Sequence, residues 1–256
     1  MRINLSAVLW LYTIIASAQL DTVQPGVYNW KEPVVNSNES KKSINILEGV
    51  SPHFEYINIH ATTQLPGAKP SKEHSNDDAE ECIIIKEGQM KVTIEGKVTI
   101  LGPQDVILLM PKQLHSLENI GDTNLTYYVM KYKSKNKMDL ERGEAAGGSI
   151  LINKDSLTVN LSSKGSGSSY FDRPTTMCER FEMHTTQLNK KGPSHNPHTH
   201  LETEIILMLS GETEMTIDGE EFKAKEGDLY FINSGLLHGI RNATEKSCSY
   251  FAFKWK

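Results

Sequence analysis

The feature that most limits how this chain can fold is a repeat. Displaced by 123 positions, the sequence matches itself: Thr62-Thr63-Gln64-Leu65 falls on Thr185-Thr186-Gln187-Leu188, and Val92-Thr93-Ile94-Glu95-Gly96 falls on Met215-Thr216-Ile217-Asp218-Gly219. The same displacement pairs Glu81 with Glu204, Gly88 with Gly211, Asp105 with Asp228, His115 with His238 and Asn119 with Asn242. It also pairs Tyr127 to Tyr132 with Tyr250 to Trp255. Such a period is far too long for a solenoid, so the chain is expected to hold two copies of one domain, residues 43–133 and 166–256. A length of 256 residues is the natural size for two such cores. The connector, 134–165, is expected to be polar and Gly-rich to Ser149, with one short strand within Ile150 to Leu161. A flexible stretch follows at Lys164 to Ser169.

Each copy reads as strands throughout. In the second, Glu204 to Leu209, Glu214 to Ile217, Leu229 to Ile232 and Ser249 to Phe253 are short β-branched or aromatic runs. Turn signals at Ser210-Gly211, Asp218-Gly219, Glu226-Gly227 and Ser234-Gly235 separate them. This is the pattern of an all-β sandwich or barrel, with hairpins at Glu95-Gly96 and Asp218-Gly219 and no amphipathic helix in the body of the chain. Met177, Phe181, Met183, Tyr250 and Phe253 are expected in barrel core.

The first 18 residues are read as an export signal and not as part of the fold. Arg2 precedes an apolar run from Leu5 to Ala16, and Ala16-Ser17-Ala18 is a small-residue cleavage triplet. The run is too short for a membrane span, which needs about 20 residues. The expectation is a secreted or periplasmic protein with no membrane partner after cleavage. Cys82, Cys178 and Cys248 lack metal-site spacing; either three buried thiols or a Cys178–Cys248 bridge with a spare would fit. With 27 Lys plus Arg against 32 Asp plus Glu and a net charge of -5, there is no phosphate-neutralising surface, which argues against nucleic acid as a partner.

The chemistry concentrates in the second copy: His198-Thr-His200-Leu-Glu-Thr-Glu204, Gly211 seven residues on, then Gly227-Asp228 and His238 with Asn242. In one strand His198, His200 and Glu204 would share a face, with His238 added from another strand. Three imidazoles and a carboxylate suit one divalent transition metal, Mn, Fe, Ni, Cu or Zn, with positions open for water or substrate. A lone HxH would more often be a pair of surface histidines, but here HxHx3E, the glycine, and the later GD, His and Asn occur as a set. This two-part set resembles the signature of the cupin superfamily, except that Asn233 stands where proline is frequent. The resemblance implies that His198, His200, Glu204 and His238 are metal ligands. It also implies that the mature chain is a bicupin of two tandem jelly-roll barrels, a monomer or a homodimer.

The first copy departs from the pattern. Asn76 stands where the second His would be, and one extra residue precedes Glu81. A second set of His74, Glu81 and His115 would need a bulge to restore a common face. Against it stands a repeat kept for packing alone. Arg173, Arg180, Tyr230 and His195 are candidates for contact with a small-molecule substrate, with His195 at the mouth; an outer-face ion pair is the plainer reading of Arg180. Glu202, Tyr230, Glu179 and His195 are the candidate acids or bases.

The superfamily hosts many reactions and also binding proteins, so function rests on the site. Bicupin relatives include flavonol dioxygenases, oxalate decarboxylases and ureidoglycine aminohydrolases; the spacing and ligands here differ from theirs, and no substrate carries over. An exported metalloenzyme acting on a sugar acid, keto or enol compound, as in carbohydrate degradation, is the first expectation. A non-catalytic sugar or small-molecule binder is the second. The intact ligand set argues against a storage role.

Overall fold

A computed structural model of the chain describes residues 20–31 and 40–256; the expected export signal lies outside them. Each repeat forms eight antiparallel strands. In the first they are Lys41–Gly49, Phe54–Gln64, Glu80–Glu87, Met90–Ile94, Lys97–Leu101, Val106–Leu109, His115–Asn119 and Leu125–Ser134. In the second they are Gly165–Arg173, Phe181–Leu188, Thr203–Ser210, Glu212–Ile217, Glu220–Lys225, Leu229–Ile232, His238–Asn242 and Cys248–Trp255. A large and a small sheet close each barrel, so the expected all-β fold with two tandem jelly rolls is what forms. Among the described residues no helix is long and apolar enough to cross a membrane.

Each barrel has its own interior. Ile83, Ile85, Met90, Val92, Leu117 and Tyr127 fill the first, and Ile206, Met208, Met215, Tyr230, Ile240 and Tyr250 the second. The largest cluster belongs to neither. It joins Phe54, Ile57, Tyr132 and Met130 of one repeat to Phe181, Met183, Phe253 and Trp255 of the other. Phe54 stacks on Trp255 with ring centroids 5.0 Å apart and on Tyr132 at 4.8 Å. The outer faces of the two large sheets therefore pack back to back. Of the five residues expected in barrel core, only Tyr250 lies there; Met177, Phe181, Met183 and Phe253 line the seam between barrels. Alternation explains it: Glu182 and His184 take the inward face of their strand and leave the outward face to Phe181 and Met183.

The repeats also exchange strands. Gly26–Tyr28, ahead of the first barrel, pairs with Leu229–Ile232 of the second, and Ile150–Ile152 pairs with Val106–Leu109 of the first. Asp228 and Asp105 hold these visitors. Asp228 Oδ1 accepts the Trp30 N–H at 2.7 Å while its Oδ2 accepts that of Lys225 at 2.9 Å. Asp105 does the same for Lys154 and Gly102, both at 2.8 Å. The aspartate of the Gly-Asp motif is thus a clasp, buried in both copies.

Three readings of the sequence are corrected here, and one open alternative is decided. The connector contains a six-residue helix, Leu140–Ala145, whose first turn Asp139 caps by accepting the Arg142 N–H. Ile150 to Leu161 gives two short strands, Ile150–Ile152 and Asn160–Leu161, one for each barrel. Gly165 and its neighbours are paired β-structure and not a flexible tether. A Cβ on Gly165 would stand 1.9 Å from the Gln187 carbonyl oxygen, so the glycine serves close approach. Lastly, the three cysteines are buried free thiols, with Cys178 in the seam and Cys248 in a barrel interior.

The displacement between repeats is itself 124 upstream of the metal motif. Asn58 pairs with Lys131 and Glu182 with Lys254, while Asn119 and Asn242 donate to the carbonyls of Gln64 and Leu188. Gln64 therefore corresponds to Leu188, and the Thr-Thr-Gln-Leu match is out of register by one. The extra residue before Glu81 restores 123 downstream.

Two outcomes follow for stability. Asp228→Ala strands two backbone donors and is expected to lower the unfolding free energy in urea by about 2 kcal/mol or more. Asp105→Ala should cost a similar amount; a change within 0.5 kcal/mol, about the noise for an ordinary surface site, would refute the clasp. Glu80 is buried in the seam, accepting from Thr175 Oγ1 and the Thr176 N–H, both at 2.7 Å. Burial pushes its carboxyl above the ordinary 4.5, against those hydrogen bonds. The folded state thus favours the neutral form, and stability from this group falls as pH rises through that raised value. Glu80→Gln should gain on the wild type in urea midpoint between pH 5 and 8; a constant difference would refute the sign.

Candidate metal centre

Two of the four candidate ligands, Glu204 and His238, lie at strand edges, and the reason the four meet is not strand alternation. The strand carrying Glu204 begins at Thr203, so His198 and His200 precede it. His198 is instead tied to His238 by a two-way backbone bridge, 2.9 and 3.0 Å. The His200 carbonyl accepts the Gly235 N–H, which folds the loop over the barrel mouth. His198, His200 and His238 offer ring nitrogens within 4.8 Å of one another. His200 Nε2 and His238 Nε2 each lie 3.1 Å from Glu204 Oε2.

The donor chemistry calls for a cation. His200 Nδ1 faces the Glu202 carbonyl at 3.0 Å and His238 Nδ1 faces the Leu236 carbonyl at 2.9 Å. A carbonyl only accepts, so both Nδ1 atoms carry the proton, and in the neutral rings both Nε2 lone pairs point at a carboxylate oxygen. His238 Nε2 is buried and has no hydrogen-bond geometry to any partner. Acceptors so crowded need protons or a metal between them. Without metal, burial raises the Glu204 carboxyl, but His200 and His238 outweigh it and hold it well below the usual carboxylate range. Burial likewise opposes charge on His238, and Glu204 overrides it to raise that imidazole. The residues fit a divalent metal held by three imidazoles and one carboxylate.

This cluster forms part of the wall of a cavity of about 510 Å³. His195 stands at the mouth, its ring 4.5 Å from that of His198. The other three substrate candidates are elsewhere. Arg173 bonds the carbonyls of Pro174 and Gly148 and steadies the connector. Arg180 is held by Asp172, Glu182 and Glu202, so it is an ion-pair residue, but not on an outer face, because Glu182 points inward and Glu202 is buried. Tyr230 is buried in the barrel with its hydroxyl on Thr213. Glu202 belongs to the Arg180 pairing and steers His200 by its carbonyl; Glu179 is not on the cavity wall. The residues that sequence reasoning missed are His184, Thr186, Ser194 and Lys254, all on that wall. The signal was present in the polar alternation Glu182, His184, Thr186 along one strand.

In the first repeat His74, Glu81 and His115 do come together. No bulge is needed: His74 lies outside the strand of Glu81 and is bridged to His115, as His198 is to His238. His115 Nε2 is 3.2 Å from Glu81 Oε2, and Lys131 Nζ is 3.9 Å from Oε1. Asn76, in the place of His200, bonds the Glu81 carboxylate instead of adding a nitrogen ligand.

The comparisons agree with the fold. The Cupin domain family matches residues 62–131 and 184–254, more than half of the chain. The chain belongs to the cupin family. An uncharacterised protein of Aquifex aeolicus is 42% identical over 55 residues, which is 21% of this chain and 46% of that protein. AerE from Microcystis aeruginosa superposes with a TM-score of 0.63 at 14% identity, over 84% of this cupin and 97% of that chain. An oxalate decarboxylase of Lactobacillus farciminis, in a formate complex, gives 0.69 at 12% identity over 93% and 88%. These likenesses speak to fold.

Elemental analysis of the purified protein is expected to find about one equivalent of a transition metal, lost in His200→Ala. Asn76→His should raise it towards two, because it completes the first repeat's set; no gain from that variant would refute the account of Asn76.

Proposed function

We propose that the protein is an exported metalloenzyme of the second cupin, acting on a small oxygen-rich substrate such as a sugar acid, keto or enol compound. The reaction is a metal-assisted isomerisation, elimination or oxygenation. The observation that carries this reading is the position of the ligand cluster: His198, Glu204 and His238 line a cavity of about 510 Å³ that also presents His184, His195 and Lys254. A metal buried only to stiffen a barrel would need neither the space nor the titratable wall. The size suits a molecule of roughly sugar-acid dimensions, at the lower end of small-ligand sites.

A divalent metal bound there would supply Lewis-acid polarisation of a substrate oxygen. The chain's own residues do the remainder. Lys254 lies between Glu182 and Glu204 in the sheet register and places a cation over the inner wall, suited to a substrate carboxylate. Tyr250, whose hydroxyl donates to Ser194 Oγ at 3.1 Å, closes the inner side. His195 and Asn196 line the approach. Export rests on the Arg2 and Leu5 to Ala18 pattern, and the Lys254 cation on the cavity wall supports a small carboxylate as the substrate class.

The reading is tested with Mn2+-loaded protein by water-proton relaxation while oxalate, pyruvate and galacturonate are titrated in. At least one should displace metal-bound water, and Lys254→Met should weaken its binding roughly tenfold, the loss of one charge-assisted contact. Failure of all three would favour a binding protein for neutral ligands.

A further inference from the structure

The second barrel holds a pair of residues, one of them on the cavity wall, that no metal-binding role requires. Glu182 and His184 alternate along Phe181–Leu188, both facing inward. Glu182 Oε1 lies 3.1 Å from His184 Nδ1. Glu182 is itself fixed, by Arg180 at 2.8 Å through Oε2 and by Lys254 Nζ at 3.4 Å. A carboxylate on Nδ1 sets the proton there and leaves the Nε2 lone pair for the cavity, which His184 lines. Among the described residues Nε2 has no hydrogen bond of its own. Ala252 pairs with His184 on one side and Ile206 on the other, so the small side chain opens space beside the ring.

The other repeat supplies an internal comparison. By sheet register Asn58 stands for Glu182, His60 for His184 and Val129 for Ala252. The histidine and its orienting contact persist there, with His60 Nδ1 2.7 Å from Asn58 Oδ1. The carboxylate has become an amide and the space has been filled. These changes fall in the repeat where His200 is replaced by Asn76, so the full ligand set, the carboxylate and the open space occur together.

From this arrangement we infer that His184 is the proton-transferring residue of the second cupin, with Glu182 as its positioning residue, and that the substrate carries a C–H bond beside a carbonyl. The inference rests on the metalloenzyme reading above. In the step, His184 Nε2 takes the proton; the C–H electron pair becomes a C=C bond and the carbonyl pair moves onto oxygen. Return of the proton from the imidazolium to the same carbon re-forms the C–H bond and the carbonyl and completes an exchange, with no oxidant or reductant consumed. Glu182 favours the imidazolium as it forms, and the ring reorients little because Nδ1 stays bound.

The test uses the full metal-loaded protein with pyruvate as the probe, following deuterium wash-in to its methyl group by mass spectrometry in D2O. The wild type should exchange faster than metal-depleted protein, and His184→Ala should lose at least about 100-fold, with part restored by added imidazole. Glu182→Gln should lose less than His184→Ala. Metal content and pyruvate binding to the Mn2+-loaded form should be unchanged in both variants; failure of oxalate, pyruvate and galacturonate alike to bind the wild type would be failure of the metalloenzyme reading, separately from the proton step. A readout without turnover is the 15N spectrum of the Zn2+-loaded protein, where the His184 ring should carry its proton on Nδ1, and lose that preference in Glu182→Gln. Exchange by His184→Ala at the wild-type rate, no wild-type exchange of bound pyruvate, or a proton found on Nε2 would each overturn the inference.

Discussion

Each large sheet of this protein is apolar on both faces, and that constraint organises everything else. Glu80–Glu87 and Thr203–Ser210 are buried at six successive positions, so neither sheet can turn its outer face to water. One barrel alone would expose Phe54, Ile57 and Tyr132, or Phe181, Met183 and Trp255. Back-to-back packing buries them and stabilises by roughly 1.5–3 kcal/mol for each large side chain removed from water. The strand exchange completes the same logic at the sheet edges, where Gly26–Tyr28 and Ile150–Ile152 cover the rows of backbone groups that an edge strand leaves unpaired.

With the outer faces committed to the seam, the inner faces near the barrel mouth are where polar groups can gather. The register there sets Glu182, Lys254 and Glu204 in one row of alternating charge, and His184, Ala252 and Ile206 in the next. A buried carboxylate is costly unless paired. Glu204 is relieved by the imidazoles of His200 and His238, and Glu182 by Arg180 and Lys254.

Much of this was legible in the residues. The repeat, the all-β pattern and the tandem barrels follow from the self-match and the turn spacing, and the four candidate ligands from HxHx3E with the later His. What was hidden depended on where a side chain points once two copies meet. Phe181 and Phe253 read simply as core, because hydrophobicity does not distinguish a barrel interior from a seam. Gly165 and the serines around it read as a tether, because composition cannot show that a carbonyl oxygen would clash with any Cβ. Arg173 and Tyr230 are residue types that bind anions, yet backbone carbonyls claim one and Thr213 the other. His184 was missed because the metal motif drew attention downstream, although Glu182-Met-His184-Thr-Thr186 carries the alternation of a strand with one polar face.

The divergence of the two repeats then has a physical explanation. The seam uses outward-facing residues and the clasps use Asp105 and Asp228, so neither depends on the metal cluster. The first barrel can therefore exchange a histidine for Asn76, a carboxylate for Asn58 and an alanine for Val129 without weakening the assembly. Its Tyr127 hydroxyl accepts from Gln64 Nε2 at 3.1 Å inside the barrel. The second repeat gains nothing in stability from an open cavity and a crowded set of acceptors, since both cost free energy in the folded state. A chain that retains that cost in one copy, while a duplicate beside it shows how cheaply it can be removed, is holding the site for what it does.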